Sequence, residues 1–175
     1  MSRRGTLTRA AALLGFVVCC GVSALAADRA TFSGELTVTV KVPAGRALPL
    51  FDPVGEAAWA PGWAPVFARE ADRTSLPDGT VFTTRGHGGG TTTWVLERYD
   101  RGGHEIAYTA FDAVGAVVAI RIAVRDRGQG GSQATVRYEL VATTDAGDGI
   151  VHAFESQFPH MEAHWQAALD AAVAR

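Results

Sequence analysis

Two histidines four residues apart, His160 and His164, stand where one helical turn could bring both imidazoles to a metal ion. No third ligand of suitable type lies on the same face, since Glu162 and Asp170 project elsewhere, so both histidines are expected at the surface and no metal or other cofactor is expected. His87 sits in a glycine-rich turn, Gly86 to Gly90, which lacks the strand-to-helix setting of a phosphate-binding loop. No Gly-x-Ser-x-Gly nucleophile motif is present, and the two cysteines, Cys19 and Cys20, fall inside the apolar N-terminal stretch. Tyr108, Tyr138, His104 and Glu97 have side chains that could donate, accept or polarise in acid–base chemistry, but no spacing marks them as a set. Arg98 is the one cation that strand parity places beside an aromatic, Trp94, where its fork of donors could hold a ligand carboxylate. The alternative is an arginine at a strand end with its head in water.

Elements that would position these groups follow from hydropathy. From Ile150 onward, Ile150, Phe154, Phe158, Met161, Trp165, Ala168, Leu169 and Ala172 fall within an arc of about 100° on a helical projection, a single core-facing stripe. Thr144 to Arg175 is therefore predicted to be one long amphipathic segment, with a kink near Phe158 or two helices meeting there because Pro159 removes a backbone donor. Thr31 to Val42 alternates with period two, Leu36, Val38, Val40 and Val42 on one face, and Pro43 ends it. Five further β-rich runs follow: 79–85, 91–99, 104–111, 116–125 and 133–142. The breaks between them are short and glycine-bearing, which suits hairpins and leaves no room for crossover helices. The stretch 44–78 holds five of the seven prolines yet is rich in apolar and aromatic residues, so it reads as a plug or lid at one end of the sheet.

The N-terminus reads as an export signal. Arg3, Arg4 and Arg9 precede an uncharged apolar run, Ala10 to Cys20, and Ala24-Leu25-Ala26 forms a small-x-small cleavage site, which predicts a signal peptide at 1–26 and one domain at 27–175. The apolar run is shorter than the roughly 20 residues needed to span a bilayer, so no stable membrane insertion is expected after cleavage. The protein is expected in the periplasm or outside the cell. Arg3-Arg4 leaves secretion before or after folding open. Losing the three arginines moves the net charge from −2 to about −5 and removes both cysteines, which argues against nucleic acid as a partner and leaves stability to the core alone.

The order strand, short helical segment, antiparallel meander and long C-terminal helix resembles the START-like, or Bet v 1-like, superfamily, also called SRPBCC. The string Leu50-Phe51-Asp52-Pro53-Val54-Gly55-Glu56-Ala57-Ala58-Trp59-Ala60-Pro61-Gly62-Trp63-Ala64-Pro65 is similar to the signature of one bacterial branch, as are Gly79 to Thr84, Thr92 to Val95 and Tyr138-Glu139-Leu140. That resemblance implies an α+β helix-grip fold: a curved antiparallel sheet of about six strands wrapped around the C-terminal helix, with a cavity between them. It also implies a hydrophobic or amphipathic small molecule as partner, or, as the alternative, an enzyme of the polyketide cyclase/dehydratase or hydrolase kind using the same pocket. Within such a fold Trp63, Phe67, Trp94, Arg98, Tyr108, Tyr138, Phe154, Phe158 and Trp165 are the residues expected to line the ligand site, against the plainer expectation that the aromatics among them fill a solid core.

Overall fold

The computed structural model describes residues 28–85 and 90–174; the expected export signal at 1–26 and His87 lie outside them. The chain opens with β1 (Thr31–Val40) and then a compact segment holding α1 (Ala44–Ala47) and two 3-10 turns, Leu48–Phe51 and Gly55–Ala58. It continues with β2 (Val66–Phe67), α2 (Asp72–Ser75), β3 (Thr80–Arg85), β4 (Thr91–Asp100), β5 (Glu105–Asp112), β6 (Ala116–Gly128), β7 (Gly131–Ala142) and α3 (Asp145–Val173). The seven strands form one antiparallel sheet in the order β1-β7-β6-β5-β4-β3-β2. The two-residue β2 is one strand more than periodicity indicated, since two residues carry no period to read.

Alternation along each strand sets the inner face. One cross-strand row runs Gly34, Tyr138, Ile120, Tyr108, Leu96 and Thr80, and the next runs Phe32, Leu140, Val118, Ala110, Trp94, Phe82 and Phe67. These rows supply the sheet's aromatic share of the core, including Tyr138, Tyr108, Trp94, Phe82 and Phe67. Parity breaks once on the way. A bulge between Leu96 and Arg98 in β4 shifts the register, so that Leu96 faces Tyr108 and Tyr99 faces Ile106.

α3 is a single helix that continues through Pro159, so the two-helix alternative is overturned. Glu155, whose carbonyl the proline leaves without its helical donor, lies on the exposed side, where water can replace the lost bond. The helix starts under a Thr144 cap, whose hydroxyl oxygen accepts the Gly147 N–H at 3.0 Å. It lies along β1 and β7. Val151 and Leu169 are fully buried, while Phe154, Phe158, Met161 and Trp165 are half-buried against the core. Val151, rather than Ile150, opens the inward stripe. Side chains of α3 also close the free edge of β1. The Thr37 N–H donates to Glu162, the Thr39 N–H donates to Gln166 at 2.8 Å, and the Gln166 amide returns a bond to the Thr39 carbonyl at 2.9 Å.

Candidate functional site

The helix covers only part of the sheet, and the Leu48–Trp63 segment covers the rest. Asp52 organises that segment. Its Oδ1 accepts the Val54 and Gly55 N–H groups at 2.9 and 2.7 Å, an Asx-type turn that starts the second 3-10 turn. Gly55 is obligatory there, because a Cβ would come within 1.8 Å of the Pro49 carbonyl oxygen. Both tryptophans of the segment bond back into it, Trp59 Nε1 to the Leu50 carbonyl at 2.6 Å and Trp63 Nε1 to the Pro53 carbonyl at 2.8 Å. Two bonds tie it to the sheet: the Tyr99 hydroxyl donates to Asp52 Oδ2 at 3.0 Å, and the Tyr108 hydroxyl donates to the Phe51 carbonyl at 2.9 Å.

Eight of the nine residues expected to line a site face this interior, in two groups. Trp63, Phe67, Trp94 and Tyr108 gather around Phe82, with Trp63 edge-on to Trp94 at 5.3 Å and Trp94 stacked on Phe82 at 5.9 Å. Tyr138, Phe154, Phe158 and Trp165 form the second group, with Tyr138 5.2 Å from Phe154 and 6.4 Å from Trp165. The segment bridges them: Trp59 meets Trp165 at 4.9 Å, and Phe51 lies 6.5 Å from Trp165. Arg98 is the exception and its placement is corrected. The β4 bulge turns it outward, where it pairs with Asp100 at 2.7 Å, and Tyr99 takes the inward position. It cannot anchor a ligand in this interior.

The hollow expected between sheet and helix does not stand open, because these rings fill it. Two recesses of about 280 Å³ occur among the described residues, one beside the β6–β7 turn and one along β1 and β7, and both are on the surface. Glu56, in the second 3-10 turn, is half-buried, and Trp59 just after that turn is buried against Trp165. The Glu56 carboxyl lies within electrostatic reach of Asp52, Tyr108 and Tyr138. Burial, and then the negative charge of Asp52, hold that carboxyl well above the usual carboxylate range. Tyr138 is raised by burial and then by Glu56, and Tyr108 by burial and then by Glu56, Asp52 and Tyr99. Burial and then Asp52 raise Tyr99, opposed by Arg101, whose guanidinium lies 4.1 Å over its ring.

Tyr99 and Tyr108 have partners for their hydroxyls; no hydrogen bond from the described residues reaches the Glu56 carboxyl or the Tyr138 hydroxyl. Every fully occluded side-chain nitrogen or oxygen among the described residues does have a partner. Glu56 and Tyr138 therefore still touch solvent-sized space, although Tyr138 is only 5% exposed. The acid and the phenol thus stand uncommitted at the margin of the aromatic cluster. Sequence reading missed Asp52, Glu56, Trp59 and Tyr99 as site residues. The Asp-Pro turn signal was present in the Leu50–Pro65 string, whereas Tyr99 was hidden by the bulge. No group of three or more His, Cys, Asp or Glu side chains among the described residues could hold a metal ion, and none of their helices is long and apolar enough to cross a membrane.

No protein-family model and no curated protein matches the sequence. Solved structures do match. A norcoclaurine synthase point mutant from Thalictrum flavum, in complex with a transition-state analogue, is 13% identical, covering 84% of this chain and 96% of that one at a TM-score of 0.60. Ara h 8.0201 is 16% identical over 83% of this chain and all of its own, at 0.60. The Zhui aromatase/cyclase from Streptomyces sp. R1128 is 16% identical over 82% and 96%, at 0.61. The chain has the Bet v 1-like helix-grip fold that these proteins share.

Proposed function

We propose that the protein is an exported carrier or sensor that binds an apolar or amphipathic small molecule among the Leu48–Trp63 segment, the sheet and α3. On this reading it belongs to the START-like branch that carries the Leu50–Pro65 string, and its signal is removed after Ala26. The observation that carries the proposal is the set of aromatic rings from the Leu48–Trp63 segment, the sheet and α3 that meet around Tyr138 and Trp165. Ligand sites are lined mainly by apolar and aromatic side chains with a few polar groups among them, and here the half-buried Glu56 carboxyl and the Tyr138 hydroxyl, neither hydrogen-bonded within the described residues, supply the polar groups. Ligand pockets usually hold about 300–1,000 Å³, so room must open here as rings of the segment shift. The Asp52 bonds to the Val54 and Gly55 N–H groups keep the segment's backbone shape while that happens.

An enzyme of the cyclase/dehydratase or hydrolase kind is the second reading, favoured by one feature. Glu56 is an acid whose carboxyl burial and then Asp52 hold well above the usual carboxylate range, near two buried phenols, an arrangement suited to protonating a substrate oxygen. Both readings use the same interior. Native mass spectrometry of protein recovered from periplasm or medium tests the first, together with titration by the neutral fluorophore N-phenyl-1-naphthylamine. The expected results are a mature N-terminus at Ala27, a co-purifying apolar molecule and saturable probe binding. An apoprotein mass with no probe binding would refute the binding proposal.

A further inference from the structure

We infer that the outer face of the sheet binds a second copy of this chain, through an apolar band whose two unpaired charges match under a two-fold axis. The face is remote from the aromatic interior, so this interaction stands apart from the ligand reading. An antiparallel sheet covered on one side alternates apolar residues inward with polar residues outward. Two neighbouring outward rows break that pattern. One runs from Val66 on β2 through Thr93, Phe111, Val117 and Val141 to Thr31 on β1, and the next holds Val81, Val95, Thr109, Ala119 and Glu139. Glu139 is the one charge in either row. Phe111 and Val141 are each 47% exposed and Val66 is 67% exposed, because α3 and the Leu48–Trp63 segment pack on the other face.

Charges beyond the band are matched within the chain. Arg137 pairs with Glu35, Arg121 with Glu97 at 3.4 Å, and Arg98 with Asp100 and Arg125 with Glu105 at 2.7 Å each. Glu139 and Arg85 are exposed and form no ion pair with a described residue. Their positions are related through Phe111. Glu139 lies two strands away by way of β6 and two residues along from the Phe111 row; Arg85 lies two strands away by way of β4 and two residues along in the opposite direction. With strands about 4.8 Å apart and about 3.4 Å per residue, each charge is about 12 Å from Phe111, on opposite sides of it. Suppose two copies meet outer face to outer face about a two-fold axis lying in the interface, passing Phe111 at right angles to that line. Each Glu139 then falls on the partner's Arg85, and the two Phe111 rings meet at the centre. An unlike partner draws no benefit from this relation between the two charges. Seven strands and three outward rows span about 30 by 20 Å, roughly 600 Å² per copy and about 1,200 Å² in all, the lower end of what a specific dimer buries.

Sedimentation velocity of protein recovered from periplasm or medium, from about 1 to 200 μM, should show a reversible monomer–dimer equilibrium in the micromolar range. Glu139→Arg sets like charges against each other across the axis, and so does Arg85→Glu. Each alone should weaken the dimer at least about tenfold, and the two together should restore it to within about threefold. Both positions are exposed, so the melting temperature of all three variants should stay within about 2 °C of the unmodified protein. A chain that stays monomeric over the whole range, or a dimer indifferent to both single substitutions, would overturn the proposal. So would a monomer that binds phosphatidylcholine vesicles and loses them on Phe111→Ser, which would give the band to a membrane surface.

Discussion

Glu56→Gln should make the protein more stable near neutral pH, by an amount that grows with pH. In the unfolded chain Glu56 ionises near 4.5, its ordinary value, while in the folded protein burial and Asp52 hold the proton on to a much higher pH. Between those two values the folded state binds more protons than the unfolded state, so stability falls as pH rises, at about 1.4 kcal/mol per pH unit for one group. The advantage of the buried neutral acid is whole below 4.5, shrinks through the window, and is gone once the folded group also ionises. Glutamine keeps the shape and cannot ionise. Urea unfolding at pH 5.0, 5.5, 6.0 and 6.5 for both proteins isolates the effect, since other titrating groups cancel in the difference. From pH 5 to pH 6 the variant's advantage should increase by about 1 kcal/mol, a little under the limiting slope because the lower end of the window lies close. A difference that stays flat over this range would show that the Glu56 carboxyl is solvated like a surface group, and its part in the ligand site would fall with it.

Other substitutions test the remaining joints of the fold. Gly34→Ala would place a methyl 2.6 Å from the Phe32 ring and 2.8 Å from Phe158, so the β1–α3 contact must shift; a loss of about 1–3 kcal/mol in urea unfolding is expected. Gln166→Ala removes both amide bonds to Thr39 and bares the β1 edge, which should cost about 1–2 kcal/mol and raise light scattering on storage. Arg98→Ala should change stability by no more than about 0.5 kcal/mol and leave probe binding untouched, because its charge pairs at the surface. Trp94→Ala, by contrast, should weaken N-phenyl-1-naphthylamine binding while circular dichroism stays that of the folded chain.

The architecture was legible because its signals are periodic. Every strand longer than two residues and the whole of α3 follow from alternation or the helical stripe, and the glycine-bearing breaks fix antiparallel neighbours without further information. What escaped was anything decided by a single residue's geometry. One inserted residue at the β4 bulge exchanged Arg98 for Tyr99 at the inner face, and no composition rule marks where a bulge falls. The aromatic residues were readable as inward-facing, but whether their rings meet or leave a void depends on rotamers and on how deeply the Leu48–Trp63 segment seats. Glu56 was invisible for a related reason: a charged residue next to alanines in a proline-rich stretch reads as solvent-facing, and only the seating of the segment brings it within electrostatic reach of Asp52, Tyr108 and Tyr138.

The two covers of the sheet are held in different ways, and that difference decides how a ligand could enter. α3 is fixed along its length by the Thr144 cap, the Asp148 bond to the Ala30 N–H and the Glu162 and Gln166 bonds to β1, so moving it exposes a strand edge. The Leu48–Trp63 segment has two hydrogen bonds to the sheet and otherwise apolar contact. Lifting all of it would uncover Phe51, Trp59 and Trp63, about 150–250 Å² each, and at about 25 cal/mol per Å² the cost exceeds 10 kcal/mol, as much as a domain's whole stability. Turning one half-buried ring such as Trp63 out of its slot between Phe82 and Trp94 uncovers roughly half of one side chain and costs about 2–3 kcal/mol. That corresponds to an open form at the level of about 1%, which a ligand must select at an equal loss of apparent affinity. Entry by single-ring movement, with the Trp63 bond to Pro53 released and the backbone of the segment still held by the Asp52 bonds to the Val54 and Gly55 N–H groups, is therefore the route the energetics allow.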